Sequence, residues 1–167
     1  WSSDVCSSDL VAIYKRLSNP YFDNKMRESR KKYGMQLVPT RETKEYLEER
    51  NGELMGMVFA VDQSPADPKK CVWINFLGIE TPAYFGAEKY AKELNLPVVF
   101  GHLTKTRRGY YESTFEVLTE SPNDFETGGI IQLANDRVAA DIYKEPYLWL
   151  WTHKRWKHKD KKPKEQQ

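Results

Sequence analysis

Val11-Ala12-Ile13-Tyr14-Lys15-Arg16-Leu17-Ser18-Asn19-Pro20 passes in a short span from an apolar run to a polar loop and then to a turn. The apolar run reads as a buried strand ending near Tyr14. Asn19-Pro20 marks the turn. From 20 to 33, charged residues surround Phe22, Met26 and Tyr33 at helical spacing, and Gly34 is placed to end that helix. Met35-Gln36-Leu37-Val38-Pro39 then reads as a second strand. Thr40 is an N-cap candidate for a helix over 43–50, which Asn51-Gly52 stops.

The alternation continues outward from this unit. Apolar runs over 55–61 and 72–76 read as strands, with a polar loop at 67–70 between them. Thr81-Pro82 looks like a cap followed by proline in the first turn of a helix that continues over 83–94. Residues 97–102 and 110–118 read as two more strands joined by the turn Arg107-Arg108-Gly109, so they should pair antiparallel. A long amphipathic helix covers 130–143. No internal repeat or interdomain linker is visible. Strands alternating with helices predict an α/β domain: a mostly parallel sheet flanked by helices, with an antiparallel strand pair late in the chain.

Composition narrows the class. The chain has 167 residues, 40% of them apolar and 13% aromatic, enough for one domain with a real core. Its net charge of +2 is too small to imply a nucleic-acid partner. Two cysteines, Cys6 and Cys71, indicate neither a disulfide framework nor a metal site. No run approaches the roughly 18 apolar residues of a spanning helix, and no signal peptide is recognisable.

Residues 1–10, Trp-Ser-Ser-Asp-Val-Cys-Ser-Ser-Asp-Leu, have no hydrophobic period. Written as codons they resemble a translated sequencing adaptor. They are therefore set aside from the fold, and the domain is expected to begin upstream of Val11 in the intact protein.

In open α/β sheets chemistry collects beyond the carboxyl ends of parallel strands. Two such ends are polar here. Arg16, after the first strand, can clamp a phosphate or carboxylate with two hydrogen bonds. Asp62-Gln63, after the third, can orient that arginine across a pocket or bind sugar and phosphate groups. Arg16 and Asp62 could equally form a surface ion pair, worth about 0–1 kcal/mol. The strand-to-helix turn Phe76-Leu77-Gly78-Ile79-Glu80-Thr81-Pro82 offers backbone N–H groups to an anion, or is simply a capped helix. At the C-terminus, residues 153–165 hold seven Lys/Arg and two Asp/Glu beside Trp149, Trp151 and Trp156. Aromatic and basic side chains together suit the interface of an anionic membrane. Alternatively, the tryptophans pack in the core ahead of a solvated tail. Residues 158–167 read as a basic disordered tail.

Taken in order, Ile13 to Pro20, Val61 to Pro65, Phe76 to Pro82, Leu96-Pro97-Val98-Val99, and Leu148-Trp149-Leu150-Trp151-Thr152-His153-Lys154-Arg155-Trp156-Lys157 resemble the lipid A biosynthesis acyltransferases of the lysophospholipid acyltransferase superfamily. Each motif is short; five in sequence cover nearly all of residues 11–158. The resemblance implies that 11–157 form the C-terminal part of one acyltransferase domain. It also implies a reaction: an acyl chain moves from an acyl carrier protein or coenzyme A thioester to a hydroxyl of a lipid A precursor. No cofactor or metal is implied beyond that co-substrate. The expected location is the cytoplasmic face of the bacterial inner membrane, on an anionic surface.

The family's base is a histidine oriented by a carboxylate, His-x-x-x-x-Asp/Glu. Five residues after His102, His153 and His158 stand Arg107, His158 and Pro163, none a carboxylate. The motif is expected upstream, and this chain alone is expected to be inactive. What the resemblance carries over as acceptor-binding positions are Arg16, Asn19, Asp62, Gln63, Phe76, Gly78 and Thr81, the phenylalanine-glycine turn lining the cleft. As membrane-interface positions it carries over Trp149, Trp151, Arg155, Trp156 and Lys157. Another phospholipid or glycolipid acceptor, or a non-catalytic peripheral membrane-binding module, are the alternatives.

Overall fold

A computed structural model describes residues 10–50, 53 and 55–163. The chain divides into two compact units, Trp1–Ala60 and Val61–Gln167.

In the first unit, β1 (Leu10–Tyr14), β2 (Gln36–Pro39) and β3 (Gly56–Val58) form a parallel sheet in the order β2-β1-β3. Val11 is opposite Gln36 and Tyr14 opposite Pro39, while Leu10 is opposite Gly56. β1 thus begins one residue inside the segment set aside above; residues 1–9 lie outside the described residues. β1 and β3 approach closely at Gly56, where a Cβ would meet the end of the Leu10 side chain at 2.9 Å and oblige it to shift. Helix α1 (Pro20–Lys31) connects β1 to β2, and α2 (Thr43–Glu49) connects β2 to β3.

Asn19 and Pro20 start α1 rather than merely turning the chain. Asn19 Oδ1 accepts the N–H groups of Tyr21 (3.0 Å) and Phe22 (3.4 Å), and proline fills the first helical position. Gly34 takes a positive φ of 86°, and its N–H returns to the Lys31 carbonyl. The α1 side chains Phe22 and Met26, which set the helical pattern, are exposed, and the buried helical residue is Asp23, whose Oδ1 accepts the Leu17 N–H at 2.8 Å. Thr40 is not the cap of α2. Its hydroxyl and its N–H both donate to the Tyr14 carbonyl, extending the β1–β2 ladder, and Glu42 precedes the helix without a side-chain cap. The stop at Asn51-Gly52 lies outside the described residues.

In the second unit, β4 (Val72–Phe76) and β5 (Ile79–Ala83) form an antiparallel pair, as do β6 (Val98–Arg107) and β7 (Tyr110–Thr119). Helix α3 (Gly86–Glu93) precedes β6, and α4 (Gly129–Lys144) follows β7. The fold class is mixed α/β: a three-stranded parallel sheet with antiparallel pairs later in the chain. The β6–β7 pair was expected; the β4–β5 pair corrects the reading of Phe76 to Pro82. Leu77 (φ 52°) and Gly78 (φ 79°) form a two-residue loop with both φ values positive, the pattern of a type I′ hairpin turn. Thr81 and Pro82 consequently lie in a strand. Pro82 is tolerated because β5 has one partner only and leaves an edge free of ladder bonds. The helix starts later, at Gly86, so no helix N-terminus stands at Thr81-Pro82 to bind an anion.

The core of this unit is Ile74, Phe76, Ala83, Ile131 and Ile142, with Trp149 and Trp156 packed against it. Gln132 of α4 reads the backbone of β4, accepting the Asn75 N–H (2.9 Å) and donating to its carbonyl (2.8 Å). Past a short turn at Pro146–Leu148, the backbone continues as linked turns. In the segment expected as a tail, Lys161 N–H bonds the His158 carbonyl and Lys162 pairs with Glu80 at 2.7 Å. Residues 164–167 lie outside the described residues.

Candidate functional site around Arg155

Three of the five motif segments are joined around Arg155 and its neighbour His153. Arg155 is fully buried, against its expected place at a membrane interface. Its Nη1 donates to Thr81 Oγ1 (3.2 Å) and to the Pro82 carbonyl (2.9 Å), and Thr81 Oγ1 faces the Arg155 carbonyl at 3.4 Å. The guanidinium stands 5.2 Å from the Phe76 ring centre, within cation–π range. Burial lowers its pKa to about 10, still charged at neutral pH; the charges of Asp62 and Cys71 act the other way. Two residues back, His153 Nε2 accepts the Ser64 N–H at 2.9 Å. Loop 62–64, the β4–β5 hairpin and the 153–156 turn are thereby tied together.

The aromatic residues complete this arrangement from the apolar side. Phe76 is 1% exposed, with Trp149 at 5.7 Å and Trp156 stacked at 5.9 Å between ring centres. Trp156 Nε1 also donates to the Phe76 carbonyl. Phe76 and Thr81 are therefore interior residues, not the lining of an open cleft. Gly78 sits in the hairpin loop, its N–H bonded to Asn75 Oδ1. Gln63 is exposed. Of the five positions assigned to a membrane interface, Trp151 and Lys157 are exposed, Trp149 and Trp156 pack on the core, and Arg155 is buried beneath them.

In the first unit, Arg16 follows β1 and is exposed. Its Nη2 bonds Glu42 Oε1 at 2.7 Å, with both side chains at least half accessible (61% and 50%). Such a pair contributes about 0–1 kcal/mol, so it holds Arg16 only loosely. Asn19 is occupied as the α1 cap.

Two further clusters carry charge. Glu88 is fully buried and accepts the N–H groups of Gly128 (2.8 Å), Ile130 (3.1 Å) and Ile131 (3.2 Å) at the start of α4, with Lys92 Nζ 2.9 Å away. His102 of β6 lies between Asp141 of α4 (Nδ1, 2.9 Å) and Glu116 of β7 (Nε2, 3.3 Å), and Arg137 binds Glu116 through two nitrogens. Hydrogen bonding to Asp141 is the leading cause that raises the His102 pKa. Each ring nitrogen of His102 already faces a carboxylate, so neither is left open toward a substrate hydroxyl. His153 uses Nε2 for Ser64. Among the described residues, no histidine combines a carboxylate on one nitrogen with a free second nitrogen. Cys71 is no nucleophile either: burial, then the charge of Asp67, raises its thiol to about 11.

Among the described residues no group of three or more His, Cys, Asp or Glu is placed to hold a metal ion, and no helix is long and apolar enough to cross a membrane. The buried role of Arg155 was missed because an arginine between tryptophans has one appearance in sequence whether it faces lipid or core. Glu88 had no signal at all: Ala87-Glu88-Lys89-Tyr90 looks like any solvated helix face.

A comparison with curated proteins finds no match. A family model, described as bacterial lipid A biosynthesis acyltransferase, matches residues 5–158 and so spans all the segments gathered here. The chain belongs to the bacterial lipid A biosynthesis acyltransferase family.

Proposed function

We propose that this chain serves the transfer of a fatty acyl group from an acyl carrier protein or coenzyme A thioester to a hydroxyl of a lipid A precursor. In that reaction the acceptor oxygen bonds the thioester carbonyl carbon, the C–S bond breaks, and the thiol leaves with the proton the hydroxyl gave up. The observation that carries the reading is the family match over residues 5–158, which includes both polar strand ends. Arg16 supports it: an exposed guanidinium with one weak partner keeps donors for a phosphate or sugar group of the acceptor. In the second unit, Asp62 and Gln63 are assigned to acceptor binding on the strength of the same family motifs. The base is assigned to a His-x-x-x-x-Asp/Glu motif that residues 11–167 do not contain.

The test is an acylation assay with defined lipids and both thioesters, run on the 167-residue chain and on the product of its complete reading frame. The expected result is acyl transfer to a lipid A precursor by the second alone. Transfer to a simple phospholipid acceptor in its place would move the assignment to another branch of the superfamily. In the active protein, Arg16→Ala should lower turnover on the order of 100-fold, the scale of a lost transition-state donor. The thermal midpoint should barely move. An unchanged rate would reduce Arg16 to a surface charge.

A second reading, a peripheral contact with the cytoplasmic face of the inner membrane, is favoured by Tyr147, Leu150 and Trp151. All three are exposed side by side in sequence with Lys154 and Lys157. It is compatible with the first, since the acceptor is a lipid.

A further inference from the structure

We propose that Arg155 is a positioning residue for loop 62–64, holding Asp62 through the guanidinium edge that no hydrogen bond occupies. Arg155 is fully buried, yet its Nε and Nη2 have no hydrogen-bond partner; Nη1 alone is engaged, by Thr81 and Pro82. Nε and Nη2 form the side-on fork of a guanidinium. Arg137, in the same unit, uses those two atoms to grip Glu116 at 2.9 and 2.7 Å. A buried fork left without an acceptor is costly, so the fold must supply a carboxylate or its equivalent there.

Asp62 is the carboxylate the geometry offers. Ser64, two residues on, is bonded to His153, two residues before Arg155, so the loop and the arginine are fastened side by side. The negative charge of Asp62 also favours the ionised form of Arg155. The Ser64 hydroxyl is itself buried without a partner, a second sign that this loop has a more tightly bonded arrangement within reach. Arg155 would thus set the position of Asp62 and Gln63 without touching substrate. The kinetic consequence rests on the acyltransferase reading; the structural one does not.

Amide hydrogen exchange on the full 167-residue chain tests the structural part. Arg155→Lys keeps the charge and removes the planar fork. The amides of residues 61–64 should then exchange about tenfold faster, as expected for one charge-assisted bond lost. Asp62→Asn should accelerate the same segment equally, and the double variant should add nothing, while α4 keeps its protection. Equal acceleration throughout the unit, or additive single effects, would overturn the proposal. Should Arg155→Lys not fold, Asp62→Asn decides alone, because unaltered exchange at 61–64 contradicts the pairing. In the active protein both variants should raise KM for the lipid acceptor about tenfold and leave KM for the thioester unchanged; a fall in kcat with both KM values constant would count against it. A wild-type protein with no transferase activity would remove the proposed function and leave the exchange result standing.

Discussion

Glu88, fully buried, accepts three backbone N–H groups at the first turn of α4 and pairs with Lys92, whose side chain is 20% exposed. A helix start leaves orphan donors, and a side chain at the N-cap normally satisfies one or two of them. Here that position is Gly128, with φ 90° and no side chain to offer, and the carboxylate comes from α3 instead. The interaction is long-range, so its loss uncouples α3 from α4 as well as fraying the helix. Lys92 would also keep a buried-side charge with only the Phe125 and Glu126 carbonyls for company. Glu88→Ala should therefore lower unfolding free energy by about 3–5 kcal/mol, the range for removing one partner of a buried pair. Glu88→Gln should cost less, since one carbonyl oxygen can still accept. Urea denaturation followed by tryptophan fluorescence distinguishes these from a surface substitution, which would shift the midpoint hardly at all.

The β6–β7 hairpin is attached to α4 mainly through polar contacts, and that makes its docking responsive to pH. His102 reaches Asp141, Glu116 reaches His102 and Arg137, and Phe100 meets His102 edge-on at 4.8 Å. The folded His102 pKa is raised above 6.5, first by its hydrogen bond to Asp141. A raised pKa means that the stabilisation is complete below about 6.5 and fades as pH climbs through the folded value. Glu116 is lowered, chiefly by Arg137, so its share is present above 4.5 and disappears as pH falls through its folded value. Protection of the β6 amides, taken relative to the base-catalysed rate of a free amide at each pH, should be greatest in mildly acidic buffer and fall above neutrality, and His102→Gln should abolish that fall; protection constant from pH 6 to 9 in the wild type would contradict it. None of this was readable in advance, because His102, Glu116 and Asp141 are brought together by folding and not by spacing. What was readable at this scale was apolar patterning: 72–76 as a strand agrees residue for residue with β4, and the pair at 97–102 and 110–118 was correctly antiparallel. β5 failed because Thr-Pro suits a helix start and an edge strand alike. The deciding fact is the positive φ of Leu77, which leucine does not advertise.

For the molecule as a whole, the open question in the sequence was which aromatic residues face outward, and burial divides them in a way composition could not. Trp149 and Trp156 pack on Phe76, whose ring faces Arg155, whereas Tyr143, Tyr147, Leu150 and Trp151 are more than half exposed, Leu150 at 66%. Trp151 is fixed by its Nε1 bond to the Pro146 carbonyl at 2.7 Å, and Lys105 of the hairpin lies over the Tyr147 ring at 5.8 Å. Rigid amphipathic rings with lysines beside them gain on entering the headgroup region of a bilayer, and the lysines add about 1 kcal/mol each near an anionic surface. If this surface meets lipid, the two contributions must separate experimentally. Leu150→Asp should weaken partitioning onto phosphatidylglycerol-containing vesicles at any ionic strength, since it places a charge where apolar contact is needed. Lys154→Gln with Lys157→Gln should weaken it roughly tenfold or more at low salt and little once the Debye length falls to about 3 Å near 1 M. Trp156→Phe, by contrast, should disturb stability and not partitioning, because that ring is committed to Phe76. Vesicle sedimentation that ranked Trp156→Phe above Leu150→Asp would mean the aromatic segment is a core element only, and that lipid is met elsewhere.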